Sequence, residues 1–156
     1  MTLENMLRKK LAEPPVAGSA GTVLPYDGWN VALRPDAQDA LSCALWDVTV
    51  ERPSWGRVGD PHAWGEQICR KVTGLLEPLK LVEVDAGKQI ALLRSAEPTP
   101  HDSGLDYHEV ELHGTNRATV RRFRGFHEAG KKREQIPFAV TYEALAQLIG
   151  GITAGP

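Results

Sequence analysis

Residues 108–113, HEVELH, place two imidazoles and two carboxylates within one short segment. These are the side chains that ligate zinc and move protons, but the spacing does not suit that chemistry. A helical HExxH zinc site needs its histidines at i and i+4, one turn apart on one face, whereas His108 and His113 are five positions apart. The surrounding residues alternate apolar and polar, as a strand does. On a strand an odd separation sends the two rings to opposite faces, so this pair is not expected to share a metal ion. His62, His101 and His127 are scattered and read as polar surface residues.

His108 acquires other neighbours if the chain turns back at Gly114-Thr115-Asn116. A three-residue loop sets His113 opposite Arg117, Leu112 opposite Ala118 and Val110 opposite Val120 on one antiparallel ladder. The same register pairs Tyr107 with Phe123, Glu109 with Arg121 and Glu111 with Thr119, and such cross-strand pairs each favour it by roughly 0.2–1 kcal/mol. A two-residue loop sets acids against Val120 instead. Asn116 is expected in the left-handed conformation that these loops need. Further from the turn, His108 falls opposite Arg122 and Asp106 opposite Arg124, in line with the two valines. Either this end of the sheet emerges into solvent or Asp106, His108, Arg122 and Arg124 form a partly buried polar cluster, the first candidate ligand site. An ion pair fastening a sheet edge is the more economical reading, because structural pairs also perturb titration.

The second candidate is electrostatic. From Arg117 to Arg133 there are seven Lys or Arg and one acid, in a chain whose formal net charge is −2. Phe123 and Phe126 lie among the arginines, and basic residues beside aromatics can hold phosphates and stack bases. Glu109 is expected to neutralise Arg121, and Asp106 to neutralise Arg124. Arg117, Lys131, Lys132 and Arg133 have no assignable partner, so they form the candidate anion-binding set. A solvated strand face is preferred to nucleic-acid contact here, since the whole chain is slightly acidic.

Other chemistry finds little support. There is no GxSxG elbow, no GxxxxGK[ST] or GxGxxG loop, and no CxxC pair. Cys43 and Cys69 read as buried thiols. No cofactor or metal is implied, and whether the chain is an enzyme stays open.

The elements that must position these groups are legible in outline. Thr2 caps a short helix with a Leu3, Met6, Leu7 and Leu11 stripe. Val16 to Gly28, rich in Gly and Pro, reads as a linker, giving an N-terminal arm over residues 1–28 and a single domain over 29–156. Trp29–Leu33 reads as a strand, Asp36–Ala44 as a short helix or turn, and about Leu45–Glu51 as a second strand. Arg52–Gly59 is a loop carrying Trp55. Asp60-Pro61 starts a helix with a Trp64, Ile68, Val72, Leu75 and Leu76 stripe ending near Pro78. Leu79–Val84 and Gln89–Leu93 form another hairpin, and Ser95–Gly104 a polar loop. Ile136, Phe138 and Val140 alternate in a strand that Pro137 confines to an edge or delays. Thr141 caps a last helix that Gly150-Gly151 should stop. The predicted class is α+β, a predominantly antiparallel sheet built from hairpins with two packed helices and a short N-terminal one.

The 42% hydrophobic and 24% charged fractions are those of a folded protein. No apolar run approaches membrane-spanning length, and the first residues do not read as a secretory signal, so a cytoplasmic location is the default. With little support for chemistry and an edge strand near Pro137, the expectation is a non-catalytic binding module for a protein partner or for itself. Nucleic-acid binding, and an enzyme with a site near Asp106, His108, Arg122 and Arg124, are the alternatives.

Overall fold

The computed structural model describes residues 1–14, 21–54 and 59–155. Within them lie helix α1 (Leu3–Ala12), strands β1 (Thr22–Tyr26), β2 (Trp29–Gln38) and β3 (Ser42–Glu51), and helix α2 (Pro61–Lys71). Strands β4 (Leu79–Asp85), β5 (Ile90–Ser95), β6 (Thr99–His101), β7 (Gly104–His113) and β8 (Arg117–Phe126) follow. Strands β9 (Glu134–Ile136) and β10 (Phe138–Thr141) and helix α3 (Tyr142–Thr153) close the chain. All ten strands join one antiparallel sheet with the path β1-β2-β3-β8-β7-β5-β4. The α+β class read from the hairpins is what the structure shows. Among the described residues no helix is long and apolar enough to cross a membrane.

The β7–β8 hairpin has the register that its side chains predict, from His113 opposite Arg117 to Asp106 opposite Arg124. Val110, Leu112, Ala118 and Val120 are fully buried on its inner face. The turn differs in one respect: the left-handed residue is Gly114, at φ 53°, not Asn116. Glycine takes that conformation without a steric penalty.

Pro137 sits at the apex of a fork in the sheet. Strands β3 and β8 pair from Glu51 opposite Arg117 to Asp47 opposite Arg121 and then part. Strand β9 continues along β8, with Ile136 opposite Arg122. Strand β10 continues along β3, with Phe138 opposite Leu45. A residue without an N–H suits the point where the chain changes partner. Between the arms, Gln135 Nε2 donates to the Trp46 carbonyl at 2.7 Å.

Several local expectations are corrected. Residues 22–26, read as linker, form β1 on β2, and the rest of that reading from Val16 to Ala20 lies outside the described residues, as does Trp55. Residues 36–44 carry no helix: β2 runs to Gln38, and the Asp39 carboxylate accepts from the N–H of Leu41 at 2.8 Å and of Ser42 at 2.9 Å. Of the two readings, helix or turn, the turn holds: Asp39 closes it, as Asx side chains do. Helix α2 ends at Lys71, and Leu76, expected in its buried stripe, is 74% exposed. A short strand, β6, interrupts the polar loop 95–104. Helix α3 passes through Gly150-Gly151 to Thr153. A Cβ at Gly151 would lie 2.9 Å from Val72 Cγ2, so this glycine admits the end of α2 instead of stopping α3.

Helix α2 packs on β4, β5 and β7, while α1 packs on α3 and β1. Leu7, Leu11 and Leu24, all within residues 1–28, belong to the same hydrophobic cluster as Trp64, Leu145 and Ile152. The Trp64 indole N–H donates to the Ile152 carbonyl at 3.1 Å, tying α2 to α3. Because Leu7 is fully buried, Leu7→Ala should cost about 2–5 kcal/mol of unfolding free energy, measured by urea denaturation. A change below about 0.5 kcal/mol, as at a neutral surface position, would contradict this packing of α1.

Candidate functional site

His108 on β7 and Arg122 on β8 are direct partners and share the inner face with Val110 and Val120. Both are buried, at 3% and 7% exposure. A buried guanidinium demands a carboxylate, and Glu77, in the segment between α2 and β4, supplies it at 5% exposure. The contact is two-pronged: Arg122 Nη1 to Glu77 Oε1 and Nη2 to Oε2, both at 3.0 Å. The Ser95 and Thr99 hydroxyls donate to the two oxygens of the same carboxylate, each at 2.6 Å.

An interruption in the sheet brings those hydroxyls in. The β5–β7 ladder ends at Arg94 opposite Glu109, and pairing on β7 resumes with β6 at Thr99 opposite Asp106. In the gap the His108 main-chain N–H loses a strand partner and donates to Ser95 Oγ at 2.8 Å.

The hydrogen bonds assign the tautomer of His108. Arg122 Nη1 lies 2.8 Å from His108 Nδ1, and a guanidinium only donates, so Nδ1 accepts. The neutral ring then carries its proton on Nε2. The 3.3 Å approach of Nδ1 to Glu77 Oε1 brings two acceptors together around the one Arg122 group that donates to both. Nε2 is buried and has no partner among the described residues. An unpaired buried donor of this kind costs roughly 1–3 kcal/mol.

The surroundings also keep the ring neutral. Burial, and then the positive charge of Arg122, push the His108 pKa down to about 4. Burial works to raise Glu77, but the Arg122 fork and the Ser95 and Thr99 hydroxyls outweigh it and bring the carboxyl to about 2. Near neutral pH the cluster is Glu⁻, Arg⁺ and neutral His, with no net charge.

His108 and Arg122 line a cleft of about 450 Å³. Its walls include Leu75 and Leu76 from the segment before β4, Pro137, Phe138 and Val140 at the fork, and Ala144 of α3. The His108 ring meets Phe138 edge to face, with centroids 5.2 Å apart. With Nδ1 committed to Arg122, Nε2–H is the polar group of this ring without a partner among the described residues, and it is itself buried.

The four residues of the first candidate site therefore divide. His108 and Arg122 belong to the cleft. Asp106 and Arg124 form a separate pair, with Arg124 Nε to Oδ1 at 2.9 Å and Nη2 to Oδ2 at 3.0 Å. That pair, led by the hydrogen bond from Arg124, lowers the Asp106 pKa.

Two of the four residues of the anion-binding set have carboxylate partners, contrary to expectation. Arg117 lies 3.7 Å from Glu51. Arg133 lies 2.7 Å from Glu109 and stacks 3.8 Å from the centre of the Phe123 ring. The Lys131 ammonium sits 3.9 Å over Phe126, and Lys132 is exposed. Glu109 does not neutralise Arg121. It takes Arg94, its direct partner on β5, at 2.9 Å together with Arg133. Glu77, Ser95 and Thr99 were not anticipated. A buried Arg122 requires an acid, but nothing in the spacing selects Glu77 among twenty carboxylates.

Comparison with known proteins finds no match: no family model fits the chain, and no curated protein or solved structure is significantly similar to it.

The lowered His108 pKa has a testable consequence. Between its ordinary 6.5 and the folded value of about 4, the unfolded chain binds the extra proton. Stability contributed by the neutral ring is thus complete above pH 6.5 and is lost as pH falls towards 4. The loss should reach roughly 3 kcal/mol. Urea denaturation across this window should show a shallower pH dependence for His108→Phe than for the native chain. Equal slopes would mean that His108 is not held neutral in the fold.

Proposed function

We propose that this chain is a non-catalytic binding module that docks a short apolar stretch of a protein partner in the cleft at the sheet fork. One main-chain carbonyl of the partner accepts a hydrogen bond from His108 Nε2–H, which the docking segment reaches by displacing the side chains that cover it. The observation that carries this reading is the buried imidazole proton, whose other ring nitrogen is fixed by Arg122 and whose own acceptor is missing among the described residues.

The chemistry of the lining selects the partner group. The Glu77–Arg122–His108 cluster is already neutral, so a charged ligand group would leave water without a countercharge, at high cost. A carbonyl satisfies the donor and brings no charge. An extended polypeptide fits the shape as well. Pro137 to Thr141 line the cleft as a continuous run of extended chain, and among the described residues β10 pairs with β3 alone. A segment laid beside it meets apolar walls with its side chains and a donor with its backbone, as in strand-addition recognition.

A catalytic reading has less support. The lining holds one imidazole and one guanidinium as titratable groups, both engaged with Glu77 or each other. The Thr141 hydroxyl accepts from the Ala144 N–H as the cap of α3. Phosphate binding would fall chiefly to Lys131 and Lys132, since Arg117 and Arg133 have carboxylate partners.

The test is a titration of isotopically labelled protein with the blocked peptide acetyl-Val-Leu-Val-amide, followed by NMR. Shifts should cluster at Leu75, Leu76, Phe138 and Ala144 and at the His108 ring. His108→Phe keeps a ring and removes the donor, so it should weaken binding by about tenfold, the value of one hydrogen bond. Absence of shifts at these residues at millimolar peptide, or unchanged affinity in His108→Phe, would refute the reading.

A further inference from the structure

We propose a second ligand site, on the opposite face of the sheet from His108, that binds a small monocarboxylate with an apolar body. A pocket of about 380 Å³ opens over the interruption between β5 and β6, where Ser95, Ala96 and Pro98 leave the ladder.

Gly125 provides its floor. It lies opposite Leu105 on β7, at a strand position whose side chain would point to the face carrying Tyr107 and Phe123. A Cβ there would lie 3.6 Å from the Leu105 carbonyl oxygen and 3.7 Å from Tyr107 Cε1, ordinary contact distances. The missing side chain is therefore room that the fold does not require. Val82 and Leu105, which remain 40% and 39% exposed, line this space together with Tyr107 and Phe126.

The charge at the rim selects the head group. Lys80 on β4 is the direct cross-strand partner of Arg94 on β5, and both line the pocket. Like charges placed opposite each other destabilise a sheet unless something compensates them. Arg94 reaches Glu109 at 2.9 Å, but that carboxylate also serves Arg133 at 2.7 Å. Lys80 has no ion pair among the described residues. The acids Glu83, Asp85, Glu109 and Glu111 line the neighbouring depression beyond Arg94; among the described residues no carboxylate lines this one. An anionic head between Lys80 and Arg94 offsets their repulsion while its apolar body covers Val82 and Leu105.

Octanoate is the probe, followed by calorimetry and NMR, with 1-octanol as the uncharged control. Octanoate should bind saturably with Kd below about 1 mM, and 1-octanol at least tenfold more weakly. Lys80→Glu, at an exposed position, should weaken octanoate binding tenfold or more. Gly125→Leu should abolish it by filling the pocket, while the melting temperature and any peptide binding at the His108 cleft are unchanged. Equal binding of octanol and octanoate, no saturable binding, or full octanoate binding in Lys80→Glu would overturn the proposal. Should Gly125→Leu fail to fold, the Lys80→Glu result and the octanol comparison decide.

Discussion

The buried contact between Arg122 and Glu77 is the constraint on which the rest of the site depends. Removing two charges from water costs several kcal/mol per ion, and removing one partner of such a pair typically costs 3–5 kcal/mol. The pair therefore persists only with complete geometry. Here the fork is two-pronged, and both carboxylate oxygens receive a further hydroxyl from Ser95 or Thr99. One contact joins the segment after α2 to the centre of the sheet, between residues 45 positions apart. It also decides the state of His108, because Nη1 donates to Nδ1 while Nη1 and Nη2 hold Glu77. The imidazole proton goes to Nε2, the atom left without a partner.

Two irregularities in the sheet make room for this arrangement. At the fork, β3 and β8 separate, and the chain around Pro137 lines both arms and forms one wall of the cleft. At the second, β5 leaves β7 after Arg94. Its residues then serve both faces, with the Ser95 hydroxyl turned to Glu77 within and the apolar pocket opened over Gly125 without. A regular ladder through either place would bring strands together where the structure has the hollows beside His108 and Tyr107. Interruptions of sheets often accompany function because they re-aim side chains.

The β7–β8 hairpin was legible to the residue because alternation, opposed charges and the aromatic pair all favour one register. From it followed the juxtaposition of His108 with Arg122 and of Asp106 with Arg124. Glu77 was not legible, since it comes from a non-repetitive segment after a helix and meets Arg122 only through the tertiary fold. Local signals misled where one residue type serves two purposes. The helix formers of residues 36–44 left helix and turn both open, and Asp39 closes a turn. Gly150-Gly151 reads as a helix stop, but α3 continues and Gly151 accommodates Val72. The basic run from 117 to 133 looked uncompensated because its acids, Glu51 and Glu109, approach from other strands.

The protonation state of His108, on which the chemistry of the cleft turns, is directly measurable. Long-range nitrogen–proton correlation NMR on the labelled chain distinguishes the two neutral tautomers and the imidazolium. The structure predicts a neutral ring with its proton on Nε2 at neutral pH, and protonation of Nδ1 only as pH approaches about 4. A proton on Nδ1 at neutral pH, or titration near the ordinary 6.5, would contradict the hydrogen-bond assignment from which the cleft's ligand chemistry follows.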